Sequence, residues 1–128
     1  MFLVKTKLAP SKIHGIGTFA EQFIPKGTLM WEFHEGIDCQ ITQERFDALP
    51  PIIQNEFLVH GWVNENGKHQ MNMDNEKFIN HSDNPNTSSP GYGKFVVALK
   101  DIEIGEEITQ DYREFDTNFG NPEYGYDW

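Results

Sequence analysis

The chain has 128 residues and a formal net charge of −10, from 20 acidic against 10 basic side chains. Its length sets one domain spanning 1–128, and 38% hydrophobic with 13% aromatic residues sets a globular chain rather than a disordered one. The acidity excludes generic nucleic-acid binding, which needs a basic footprint. Nine acids against Arg113 alone lie between Asp101 and Trp128, and they carry −8 of the −10. Such a run is either a solvated face or a docking field for a basic partner.

A single cysteine, Cys39, excludes an intramolecular disulfide and a multi-cysteine zinc site. No stretch approaches the roughly 18 apolar residues of a membrane helix. Phe2–Val4 followed by lysines is too short for the apolar region of a signal peptide. The reading is a soluble, intracellular protein with no membrane partner.

In chain order, Phe2–Lys7 reads as a strand closed by Ala9-Pro10. A glycine-rich turn, Ser11 to Ile16, then enters a strand over Gly17–Ala20. Pro25-Lys26-Gly27 is a turn before a strand over Thr28–His34. Thr42–Leu49 has helical composition, with Thr42 as N-cap and Pro50-Pro51 as its stop. Ile52–His60 fits a helix or a strand equally well. Trp62-Val63 and His69–Met71 flank an Asn66-Gly67 step, the mark of a hairpin. Asp74–His81 reads as one short helical turn, and Asp83–Gly93 as loop. Lys94–Leu99 is the clearest strand, and Glu107–Thr109 a short one. Residues 113–128 form an aromatic, acidic tail with Phe115, Phe119, Tyr124, Tyr126 and Trp128.

Taken singly, the polar motifs have ordinary explanations. Gly15-Ile16-Gly17 is neither a dinucleotide fingerprint nor a phosphate loop, and a tight turn explains it. The five histidines show no metal-ligand spacing, so no metal is expected. Asn80-His81-Ser82, followed by Asp83-Asn84-Pro85-Asn86, could be turn chemistry alone. Tyr112 at a strand end could simply pack its ring and bond its hydroxyl.

Together and in order, HGIGTFA with IPKGT, then FINHSDNPN, then VVALKDIEIGEEITQDY resemble the SET domain family of protein lysine methyltransferases. The likeness spans about Lys5 to Phe115. It implies a mostly β fold with a few short helices: several small curved sheets, β-clip-like, with a C-terminal knot-like crossing of the Asn-His and Tyr segments. It implies S-adenosylmethionine as methyl donor. Carried over by motif, His14, Gly15, Ile16 and Gly17 would lie along the donor, Asn80 and His81 would hold it, and Tyr112 would be the catalytic tyrosine.

Two departures stand out against that resemblance. Many relatives have Phe or Tyr two residues before the catalytic tyrosine, where it tunes the number of methyls added; here the residue is Gln110. Many relatives also close the lysine channel with a cysteine-rich zinc segment, which this chain lacks. Phe115 or a later ring is expected to cover the adenine or wall the channel instead. The tyrosine that many relatives supply from the middle segment has no counterpart; Trp62, His69 and Gln70 occupy that neighbourhood. The expected substrate is a basic protein, such as a histone-like tail, steered by the acidic C-terminal quarter. A homodimer completing the substrate groove is a further expectation. The competing reading is a catalytically inactive SET-like module that binds basic peptides.

Overall fold

A computed structural model describes residues 1–122 of the chain. The expectations for Tyr124, Tyr126 and Trp128 lie outside the described residues. Three small sheets organise the chain. The first has four strands in the order β1 (Thr6–Pro10), β2 (Ile16–Ala20), β10 (Glu107–Gln110) and β7 (Asn80–His81). The second orders β3 (Leu29–Glu32), β9 (Phe95–Ala98) and β8 (Thr87–Ser88). The third orders β4 (Cys39–Ile41), β6 (His69–Met71) and β5 (Trp62–Val63). This is the expected architecture of several small sheets with few helices.

The first strand is shifted from its expected place. It begins at Thr6 and runs through Pro10, which pairs with Ile16. Proline is tolerated there because β1 is an edge strand and Pro10 its last residue. Phe2 instead bridges Trp31. Thr42 caps α1 (Gln43–Asp47) by accepting from Arg45 N–H at 3.1 Å. Pro51 starts α2 (Pro51–His60), where its missing N–H costs nothing. The ambiguity over Ile52–His60 thus resolves to helix. Asp74 caps a single 3₁₀ turn, Asn75–Phe78, and β7 follows directly. The segment read as loop, Asp83–Gly93, contains the short strand β8.

The core lies between the first two sheets: Ala20, Ile24, Met30, Trp31, Ile79, Val96, Ala98, Ile102 and Ile108 are all buried. A second cluster holds the third sheet to the helices. There His69 stacks on Phe46 with centroids 3.8 Å apart, and Phe57 meets both rings edge-on. Burial lowers the His69 pKa, so this imidazole is a neutral packing group.

The crossing that builds the site is β7 beside β10. The two run parallel, with Asn80 opposite Thr109 and His81 opposite Gln110. Asn86 reinforces this crossing from the far side of β10. Its amide donates to Glu107 O at 2.8 Å and its Oδ1 accepts from Thr109 N–H at 2.9 Å. The side chain therefore copies the bonding of a neighbouring strand, and it is buried as such a group must be.

Candidate active site

The glycine-rich turn is held in place from both sides. Asn80 Nδ2 donates to the carbonyls of His14 at 3.0 Å and Ile16 at 3.3 Å, and to Glu107 Oε1 at 3.0 Å. The same Glu107 oxygen accepts from Ser11 Oγ at 2.7 Å. Gly17 leaves room for this contact, since a Cβ there would sit 2.3 Å from Glu107 Oε1 and would displace that carboxylate from its partners. Gly15 adopts φ +47° beside open space, so its need is conformational rather than steric. Three distant segments thus meet on one carboxylate. In the sequence Glu107 stands out only as part of a motif; its bonds depend on a crossing that no local pattern reveals.

His81 is a scaffold residue in this geometry. Its Nδ1 accepts from Tyr112 N–H at 3.2 Å, which places the ring proton on Nε2, 3.4 Å from Asp83 Oδ1. Its ring packs against Tyr112 and Phe119 at 5.3 and 4.6 Å. Tyr112 lies in a 3₁₀ turn just after β10, and its hydroxyl donates to Ile79 O at 2.5 Å. Burial pushes the phenol pKa up, helped by the charges of Glu76 and Asp116. The hydroxyl therefore stays protonated at neutral pH and offers its oxygen lone pairs rather than a base.

A cleft of about 260 Å³ is bordered by Tyr112 and by Ile79, whose carbonyl accepts from its hydroxyl. His14, Trp62, Glu76, Gln110, Tyr112 and Phe115 are among the residues that line it. The chain after Tyr112 closes one side by folding back onto β5. Thr117 N–H donates to Val63 O at 3.0 Å, and Val63 N–H donates to Asp116 Oδ1 at 3.4 Å. That return brings the Phe115 ring to 5.0 Å from Trp62 and 5.7 Å from Tyr112. Of the three middle-segment candidates, Trp62 reaches the cleft. His69 turns to Phe46, and Gln70 pairs with Gln40 and Asn72.

The structure therefore brings His14, Tyr112 and Phe115 to the cleft wall. Gly15, Ile16, Gly17, Asn80 and His81 form the frame behind it. Sequence reasoning missed two buried carboxyls at the cleft. Glu76 is pushed up to about 7 by burial, against the opposing bonds from Asn72 and Gln110. Burial raises Asp116 to about 6, and its Oδ2 has no hydrogen-bond partner among the described residues. Among the described residues the buried Trp62 Nε1 likewise has no hydrogen-bond partner. Both carboxyls looked like ordinary surface acids in an acidic chain. Only tertiary placement distinguishes them.

Among the described residues, no group of three or more His, Cys, Asp or Glu side chains is placed to hold a metal ion. Nor is any described helix long and apolar enough to cross a membrane.

Comparison with known proteins agrees with this geometry. No curated protein matches the chain by sequence. A protein from Plasmodium falciparum, provisionally described as a histone methyltransferase, has a similar structure. It matches with a TM-score of 0.59 at 20% identity, over 85% of this chain and 93% of that one. A humanized mutant of the Chaetomium thermophilum Polycomb Repressive Complex 2 matches with a TM-score of 0.65 at 19% identity. That match covers 90% of this chain and 16% of the other. At such identities these likenesses establish the fold. A family model for the SET domain matches residues 15–113, and the chain belongs to the SET domain family.

Proposed function

We propose that the protein is an S-adenosylmethionine-dependent protein lysine N-methyltransferase acting on a basic protein or peptide, with histone-like tails as the favoured class. One observation carries the reading: Tyr112 borders a ring-walled cleft, on the frame where the three family motifs interlock.

The cleft's chemistry suits the donor. Aromatic faces and carboxyl oxygens attract a sulfonium cation and an ammonium group. His14 to Gly17, braced by Asn80, are the residues that would lie along the donor, and Asn80 and His81 would fix that wall. When bound, the donor supplies a methyl group already activated as an electrophile.

The chain's own task is then positioning. A free lysine has a pKa near 10.4 and must lose its proton to react. Desolvation between Trp62, Tyr112 and Phe115 lowers that pKa. The walls hold the amine in line with the methyl, the proximity effect. The Tyr112 oxygen, fixed by Ile79, would orient the methyl through weak C–H···O contacts. The acidic residues from Asp101 onward would draw Lys/Arg-rich segments toward the cleft.

The test is calorimetric titration with S-adenosylmethionine, followed by mass spectrometry of a basic peptide array incubated with protein and donor. Methyl gain on lysine supports the reading. Donor or peptide binding without transfer would favour a binding module, and absence of donor binding would reject both.

A further inference from the structure

A hydrogen-bonded circuit frames the floor of the cleft. The Glu76 carbonyl accepts from Ile79 N–H at 3.0 Å, and the Ile79 carbonyl accepts from the Tyr112 hydroxyl at 2.5 Å. Gln110, two residues before Tyr112, donates to Glu76 Oε1 at 3.0 Å and closes the circuit. Asn72 donates to the other oxygen, Oε2. The Asp74 cap anchors the whole turn, accepting from Phe2 N–H at 2.6 Å and Trp31 Nε1–H at 3.3 Å. The Glu76 carboxyl and the Tyr112 hydroxyl are thus positioned by one rigid frame.

Packing alone does not call for a carboxyl here. A buried carboxylate costs several kcal/mol more than an apolar or amide side chain of similar size. Its two oxygens accept about four hydrogen bonds. The described residues supply two, both from neutral amides, so its charge has no counter-ion among those donors. Glu76 is only 5% exposed, and it is among the residues that border the cleft. A cationic donor entering from the cleft would complete its shell.

Resting on the lysine-methyltransferase reading, we infer that Glu76 is a catalytic residue that receives the target ammonium and takes its proton. The lysine Nε–H groups bond to the carboxylate. One proton then passes from nitrogen to a Glu76 oxygen, the ammonium becomes a neutral amine, and the carboxylate becomes a neutral acid. The transfer cancels two opposite charges in a desolvated site, which favours the neutral pair. It frees the nitrogen lone pair beside the Tyr112 hydroxyl. Gln110, at the position where an aromatic would stand in many relatives, holds the accepting carboxyl in place. The other charged or titratable groups around Glu76 are Asp74, Asp38, Asp116, Lys77, His14 and His60.

The experiment compares wild type with Glu76→Gln, using two basic peptide pools that differ only in a central lysine or norleucine. Binding is read by fluorescence anisotropy with saturating S-adenosylhomocysteine. Wild type is expected to prefer the lysine pool by about tenfold or more, the worth of a charge-assisted hydrogen bond. Glu76→Gln should narrow the preference to about twofold with adenosyl-ligand affinity unchanged. In single-turnover transfer, wild-type rate should rise with pH, and Glu76→Gln should shift the midpoint of that rise upward by about a unit or more. An unchanged lysine preference or an unchanged midpoint overturns the inference.

If Glu76→Gln does not fold, Gln110→Met replaces it. That variant removes one donor from the carboxyl and should weaken the lysine preference severalfold; an unchanged preference again overturns the inference. Wild type that transfers methyl to no peptide rejects the underlying reading and the inference with it. Efficient wild-type transfer with an equally selective Glu76→Gln rejects the inference alone.

Discussion

Glu76 gives the structure a stability that depends on pH in a calculable way. Its pKa rises from 4.5 to about 7 on folding because burial penalises the charged form. The folded state therefore holds the proton more tightly than the unfolded chain does. This contribution is fully present below pH 4.5 and is lost as pH rises through 7. A shift of that size is worth about 3 kcal/mol at 1.36 kcal/mol per unit. Glu76→Gln keeps the volume and removes the titration. Relative to wild type, the variant should gain about 2–3 kcal/mol in unfolding free energy between pH 4 and pH 8. At pH 4 the two should lie within about 1 kcal/mol, the worth of one altered hydrogen bond. Asp116 titrates in the same direction, but it is present in both proteins and cancels in the difference. Urea unfolding at several pH values measures the gap directly. A variant that is less stable than wild type by the same amount at both pH values would refute the reasoning, because it would mean that Glu76 is neither buried nor strained by charge in the folded protein.

Other perturbations probe the frame. Gly17→Ala would drive a Cβ to 2.3 Å from Glu107 Oε1 and should cost about 1–3 kcal/mol in thermal or urea unfolding. Asn80→Ala strips the bonds to His14 O and Ile16 O and should weaken donor binding in calorimetry by about tenfold. In steady-state kinetics, the peptide KM should rise severalfold between low salt and about 0.5 M NaCl, because the acidic C-terminal quarter is screened beyond a few ångströms there; a salt-insensitive KM would return that charge to a solvating role.

The parts of this fold that were legible in sequence are those fixed by local chemistry. Thr42 caps its helix because a hydroxyl three residues before Arg45 N–H can reach it. The pairing of Trp62 with Gln70 follows from the Asn66-Gly67 turn. Ile52–His60 was ambiguous because it has no apolar stripe to read: Phe57 is buried while Ile52, Ile53 and Val59 are exposed. Of the site, the motif residues were visible, but not the division of labour among them. The Asn80 amide nitrogen bonds backbone carbonyls of the glycine-rich turn, a bracing contact that no local pattern reveals. Glu76 and Asp116 were hidden because burial, which makes a carboxyl unusual, is a property of the crossing of β7 and β10 and of the chain's return onto β5. Phe115 lines the cleft, brought there by the same return.

The most direct measurement is mass spectrometry of a lysine-containing basic peptide array incubated with S-adenosylmethionine and either wild type or Tyr112→Phe. Removing the hydroxyl deletes its bond to Ile79 O and keeps the ring, so the variant should fold with a loss of about 1 kcal/mol. Wild type should add methyl groups to lysine, and the variant should do so slower by about a hundredfold. Undiminished transfer by Tyr112→Phe, or no transfer by wild type to any peptide, would contradict the account.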